Sequence, residues 1–368
     1  MSHVSPHVEP LIRLSKRDAM PTWKGILVRI IGVLMGVALS ALFIVLVTDL
    51  NPMEVFKSLF DGCFGTSRRV WNLVQNTAIL LCIALAVTPA YKMKFWNIGA
   101  EGQVLAGAAA TAACMIYFGS SLNQWLLIPL MIISSLFAGM VWGMIPAFFK
   151  AYFNTNETLF TLMMNYVATQ VIAFLITYWE NPKGSNTVGI INAQTRAGWL
   201  PYLFDKQYLI NIIVVVVLTV IMYVYLKYSK HGYELSVVGE SENTARYIGI
   251  NVKKVIMRTM ALSGALCGLA GLLLVSGTSH TISTATAGGR GFTAILVSWL
   301  AKFNPAVMTL TSFLIVFFER GAAQIATTFR MNESLADIIT GIILFFIIGS
   351  EFFLNYKVNF RHKHKEVA

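Results

Sequence analysis

The decapeptide KFWNIGAEGQ (Lys94–Gln103) sits between two apolar runs, near residues 70–90 and 102–119. Gly99 and Gly102 interrupt the helical pattern there, and Glu101 sets a carboxylate at the start of the second run. Such a break between runs of membrane length marks a discontinuous helix. A second break, AGGRG (Ala287–Gly291), precedes a short apolar piece near 291–302. At about 1.5 Å per residue that piece cannot cross a hydrocarbon core of roughly 30 Å. It reads as half a span.

Further apolar runs fall near 26–48, 125–149, 157–179, 208–226, 257–276, 305–328 and 334–354, which makes ten in all. The composition agrees. Of 368 residues, 56% are apolar and 12% charged, against about 25% charged in a soluble domain. The mean hydropathy is +0.66. These features predict an all-α polytopic membrane protein of about ten transmembrane helices, with an inverted internal repeat and Gly-broken half-helices. The transmembrane domain is expected over 26–354, between an N-terminal tail (1–25) and a basic C-terminal tail (355–368). The run from Gly25 to Val47 is too long for a signal-peptide core, so it reads as a first span that stays.

The repeat shows in matching signals. Asn156-Glu157-Thr158-Leu159 opens the fifth span and Asn332-Glu333-Ser334-Leu335 the tenth, each offering an Asn cap and an acid in the first turn. Both the caps and the Gly-rich breaks recur five spans apart. An odd offset requires the halves to be inverted, and in such transporters the breaks point to the transport path. Gly32-x-x-x-Gly36 and Gly264-x-x-x-Gly268, with Gly271 one turn on, read as helix-packing devices.

The net charge of +11 sits in connecting segments and at span ends rather than on a basic face with interleaved aromatics, which argues against nucleic acid. Of the 28 Lys and Arg residues, 19 fall in the segments on the amino-terminal side and 9 on the other. The positive-inside rule then puts both termini in the cytoplasm and the 49–69 and 180–207 loops outside. The four cysteines show no C-x-x-C spacing and read as small buried side chains.

Enzyme chemistry finds no support. There is no H-E-x-x-H, G-x-S-x-G or Walker A pattern, and no paired-carboxylate spacing. No catalytic residue, metal site or cofactor is expected, and any energy from ATP must come from a partner. The polar residues within the spans are instead the candidates for a solute path: Asn97, Glu101, Gln103, Asn165, Tyr166 and Ser298. Each has a plainer alternative. Glu101 can simply cap a helix and tie down the break, and Asn165 can be glue between helices, because an unpaired amide in hydrocarbon costs several kcal/mol. Gln75 and Asn76 carry the same two options. The longest polar inner loop, His231–Lys254, offers a short helix capped by Ser241 or Asn243 and stopped at Gly249, a shape suited to docking in a groove of a soluble partner.

The pieces FWNIGAEGQ, TLMMNY, VVGESENTARYIGI, GGRGFTAILVSWL and FNP, in that order over roughly 70–350, resemble the permease subunits of bacterial ABC importers. The branch is the ribose and branched-chain amino-acid permease superfamily, within it the nucleoside or simple-sugar importers. After Gly-Phe the chain departs from the family's small, flexible pattern, with Leu296, Val297, Ser298, Trp299, Leu300 and Ala301. The resemblance implies a subunit that translocates nucleosides or simple sugars across the plasma membrane. It also implies an ATPase subunit below, a second, non-identical permease beside it, and a lipoprotein binding protein outside. Gly239, Glu240, Asn243, Ala245, Arg246 and Gly249 would then belong to the ATPase coupling segment. The rival reading is a secondary transporter driven by an ion gradient, which expects carboxylates near the midplane of the membrane.

Overall fold

The computed structural model describes residues 12–16, 21–48, 50–204, 206–330 and 332–360. Ten helices correspond to the ten apolar runs: α1 (Thr22–Val47), α3 (Ser67–Lys92), α4 (Ala100–Phe118), α5 (Gln124–Phe153), α6 (Glu157–Trp179), α7 (Leu209–Tyr228), α10 (Val252–Leu274), α11 (Arg290–Leu300), α12 (Pro305–Phe329) and α13 (Glu333–Asn355). Among the described residues, seven are long and apolar enough to cross a membrane. The fold is an all-α polytopic membrane fold. Asn156 caps α6 by accepting from Leu159 N at 3.1 Å, and Asn332 caps α13 by accepting from Ser334 N at 3.1 Å.

Three features add to the sequence reading. The loop expected at 49–69 contains α2 (Pro52–Phe64), an amphipathic helix that Asn51 caps. The polar inner loop forms two helices, α8 (Lys230–Glu240) and α9 (Glu242–Tyr247). Finally, β1 (Ile12–Lys16) pairs antiparallel with β2 (Tyr356–Phe360), which sets both chain ends on one side, as an even number of spans requires.

The chain forms two units, one of residues 67–316 and one of the two ends. In the larger unit α3 and α10 are central and mostly buried, with α4, α5, α7 and α11 packed against them. The outer helices bury a single stripe each. On α6 the stripe is Thr161, Asn165, Ala168, Ile172 and Ile176. In the unit of the ends, α1 lies on α13 through Gly32 and Gly36, whose missing side chains admit Ser350 and Ile343. Also there, α2 packs on the second half of α12, where Ser58 donates to Thr328 at 3.2 Å.

The closest backbone approach in the larger unit lies along α10. A Cβ on Gly268 would overlap the Ser135 carbonyl of α5, and one on Gly264 the carbonyl of Gly139. In lipid there is no hydrophobic drive between helices, so such contacts carry the association. Overpacking costs about 1–3 kcal/mol even where a core can adjust, and two backbones in contact adjust least. Gly268→Val should therefore lower the yield of monodisperse protein extracted from membranes severalfold by size-exclusion chromatography. Gly341→Ala, whose added Cβ has nothing within 4 Å, should leave that yield unchanged.

Candidate functional site

The two breaks meet. Glu101, in the first turn of α4, accepts from Gly289 N at 2.7 Å with Oε1 and from Gly291 N at 2.8 Å with Oε2. Those are the free amides at the start of α11, so the carboxylate of one broken helix caps the other. A Cβ on Gly291 would come within 2.5 Å of Glu101 N, so the two helix N-termini abut. Two positive helix ends repel each other, and a carboxylate between them offsets that charge. Gly288 and Gly289 both have positive φ, +61° and +74°, which lets the chain turn into α11.

The depth of this junction follows from its neighbours. Thr278, in the π-helical turn (Val275–Ser279) that ends α10, accepts from Gln75 near the start of α3 at 2.6 Å. Arg290 reaches Asn76 at 2.9 Å, and Ser298 bonds the Ala84 carbonyl at 3.0 Å and Thr88 at 3.1 Å. α11 thus runs alongside α3 from Asn76 to Thr88 and in the same direction. The junction lies level with the middle of α3, inside the bundle.

The remaining candidates divide by what their polar atoms already do. Asn97 is fully buried. Its Oδ1 accepts from Gly99 N at 3.1 Å and from Gln103 Nε2 at 3.2 Å, while its Nδ2 donates to Ser263 at 3.3 Å. Asn165 clasps the same break, accepting from Gly102 N at 2.8 Å and donating to the Ile98 carbonyl at 2.9 Å. Thr161, one turn earlier on α6, accepts from Ile98 N at 3.1 Å. Asn97, Gln103 and Asn165 are therefore brought together around the first break, and Glu101 joins them to the second. Ser298 is buried on α3. Tyr166 is 62% exposed on the outer face of α6, apart from the others. Sequence reading missed Thr161, Ser263 and Arg290, because only tertiary contact distinguishes them from other polar residues near span ends.

At the other end of the larger unit α8 caps onto α7 through Ser229, which accepts from Gly232 N at 2.9 Å. Gly239 is buried where a Cβ would overlap the Lys92 carbonyl, so α8 presses on the chain just before the first break. Ser241 caps α9 by accepting from Thr244 N at 3.2 Å, and Gly249 follows with φ +85°. Ala245 is buried, whereas Glu240, Asn243, Arg246 and Gly249 are exposed, and Tyr247 is 92% exposed. His231 bonds Tyr225 at 2.6 Å, and burial lowers its pKa despite Glu234 nearby. On the opposite side His280 stacks on Trp199 at 3.7 Å, and burial lowers its pKa too.

A family described as branched-chain amino acid transport system / permease component matches residues 70–348. The chain belongs to this family. It is a membrane permease component of an ABC importer. It is 31% identical over 330 residues to the guanosine ABC transporter permease protein NupP of Bacillus subtilis, covering 88% of this chain and 93% of that one. The nucleoside ABC transporter permease protein NupB of Lactococcus lactis is 28% identical over 331 residues, covering 88% and 90%. The glucose ABC transporter permease protein TsgB13 of Haloferax volcanii is 26% identical over 358 residues, covering 94% and 93%. No solved structure matches the permease.

Glu101→Gln keeps the size of the side chain but replaces one acceptor by a donor, so either the exposed Gly289 N–H or the buried Gly291 N–H loses its carboxylate partner. At Gly291 an unpaired buried group costs about 1–3 kcal/mol. The variant should unfold several degrees below wild type in a thermal shift assay of purified protein, and Asn165→Leu, which strands both Gly102 N–H and the Ile98 carbonyl, should fall further.

Proposed function

We propose that this permease carries nucleosides across a bacterial plasma membrane, with ATP hydrolysis supplied by a separate ATPase subunit. The observation that carries the proposal is the meeting of two helix N-termini inside the bundle. Irregular backbone at such depth is tolerated only within protein or along a water-filled path. Ser283, Thr284, Gly288 and Gly289 are exposed in the segment that leads into α11, so the path runs past this segment. In this reading Asn97, Glu101, Gln103, Asn165 and Ser298 frame the path by fixing the two breaks, and the exposed side of α11 wets it. A second permease, a non-identical paralogue, closes the path from the other side. An extracytoplasmic lipoprotein delivers the solute.

Nucleosides are favoured over sugars by the likeness to the guanosine and nucleoside permeases, and glucose is the alternative that TsgB13 keeps in view. The family match favours ATP over an ion gradient. In our reading residues 26–354 form the transmembrane permease domain and both tails are cytoplasmic, as the distribution of Lys and Arg supports. The exposed tip of α8 and α9, with Glu240, Asn243, Arg246, Tyr247 and Gly249, docks on the ATPase, while Gly239 and Ala245 seat it.

The test is uptake of labelled guanosine, adenosine, ribose and glucose by cells carrying the complete transporter or lacking its ATPase. Nucleoside uptake that vanishes without the ATPase is the expected result. Uptake of glucose alone would move the substrate to the sugars, and uptake that persists without the ATPase would restore the ion-gradient reading.

A separate prediction concerns coupling. Among the described residues Arg246 pairs with Glu242, at 3.3 Å on an exposed surface, and such pairs contribute little to stability. Arg246→Glu should therefore leave the yield of folded permease unchanged while lowering ATP-dependent uptake severalfold, as read by size-exclusion chromatography and transport assay.

A further inference from the structure

We propose that Trp96 and Trp299 form an aromatic platform on which the base of a nucleoside stacks as it passes the end of α11. The inference rests on the nucleoside reading above and adds the residues that recognise the ring.

The two indoles come from the two irregular parts of the fold. Trp96 lies just before the first break and Trp299 near the end of the half-helix α11 that follows the second. Their ring centroids are 5.6 Å apart with planes 21° apart, an offset stack. Tyr91 is 1% exposed and packs edge-on against both, at 6.0 Å from Trp96 and 6.3 Å from Trp299. Its hydroxyl donates to the Asn97 carbonyl at 2.8 Å, which ties the buttress to the network around the break. Phe303 packs edge-on against Trp299, at 5.4 Å. Two further rings thus buttress the pair.

Each indole nevertheless stays 45% exposed. Tryptophans exposed on a membrane protein commonly belong to the interfacial belt, but these two stand differently. Trp299 continues a stripe on α11, with Phe292 and Leu296, and that stripe starts beside the exposed Gly288 and Gly289, which follow the exposed Ser283–Ala285. The polar backbone of that segment excludes lipid from its surroundings. The exposed faces therefore line the same path as the break.

A rigid, flat, apolar surface beside a watery path suits one kind of ligand. A nucleoside has a π-face on the base and hydroxyls on the sugar, so the base can stack while the sugar stays hydrated. Stacking of a base on an aromatic side chain is tolerant of base identity but strengthens with ring area. Removing one such side chain changes affinity by about five- to a hundredfold. The platform therefore should move purines faster than pyrimidines.

The experiment compares maximal uptake rates of guanosine, adenosine, uridine and cytidine by the complete transporter, for wild type, Trp299→Leu, Trp96→Leu and Trp299→Phe, each normalised to complex recovered by co-purification. The expected result is a wild-type purine preference that falls towards one in both Leu variants, through the purine rates, and is largely kept by Trp299→Phe. Half-saturation, set outside the membrane by the binding protein, should not move. The proposal is overturned if wild type shows no purine preference, if the Leu variants keep it, or if they slow all four nucleosides equally, as a simple obstruction would. Should wild type carry sugars and no nucleoside, the nucleoside reading falls and the platform with it, a failure visible before any variant is made.

Discussion

One carboxylate holds two broken helices together. Glu101 accepts from two amides at the start of α11 while standing in the first turn of α4, so both positive helix ends share one negative charge. Without it the two dipoles would face each other uncompensated. The glycines at 288, 289 and 291 are what this bond requires: two supply the turn and one leaves room for the Glu101 backbone. The placement of α11 follows from there, with Arg290 on Asn76 and Ser298 on Ala84.

The polar residues in the middle of the bundle are committed to backbone. Asn165 replaces, for the interrupted strand of chain at Ile98–Gly102, the hydrogen bonds that a continuous helix would have made internally. Asn97, Gln103 and Ser263 close a second set beneath it. Buried groups paired this completely are costly to disturb, which makes the first break a stiff element rather than a loose one. Stiffness matters because α8 presses on the chain just before that break, where Gly239 meets Lys92. If the α8–α9 tip is the docking segment we propose, a displacement of it reaches residues 93–99 by contact, through Gly239 on Lys92.

A permease of this design leaves the chemistry of recognition to faces that the helices do not use for one another. The outer stripes of α5, α6 and α7 are largely apolar, as lipid demands, with Gln170 and Thr177 of α6 as exposed polar positions. The exposed side of α11 differs, because it begins in open backbone and ends in stacked indoles. In our proposal function gathers where the regular pattern of spans fails, at the two Gly-rich breaks and the segments that flank them.

The ten apolar runs, the two breaks and the Asn caps of α6 and α13 were legible in the sequence, because span length, helix interruption and capping are local properties. So was the helix stop at Gly249. The fold class and family followed from those local signals and their order. The partners of the candidate residues did not. Glu101 looks in sequence like the cap of its own helix, yet it caps one that begins nearly 190 positions later, and no local rule joins a carboxylate to amides so distant. Asn165 and Tyr166 are neighbours in the chain, but the roughly 100° step between successive residues of α6 points the first at the break and the second outwards. The amphipathic α2 and the pairing of the chain ends were likewise out of reach, since both depend on what lies across from them. The sequence by itself determined where the chain crosses and where it breaks; only tertiary packing decided which broken end meets which, because that choice is made by geometry between residues the chain keeps far apart.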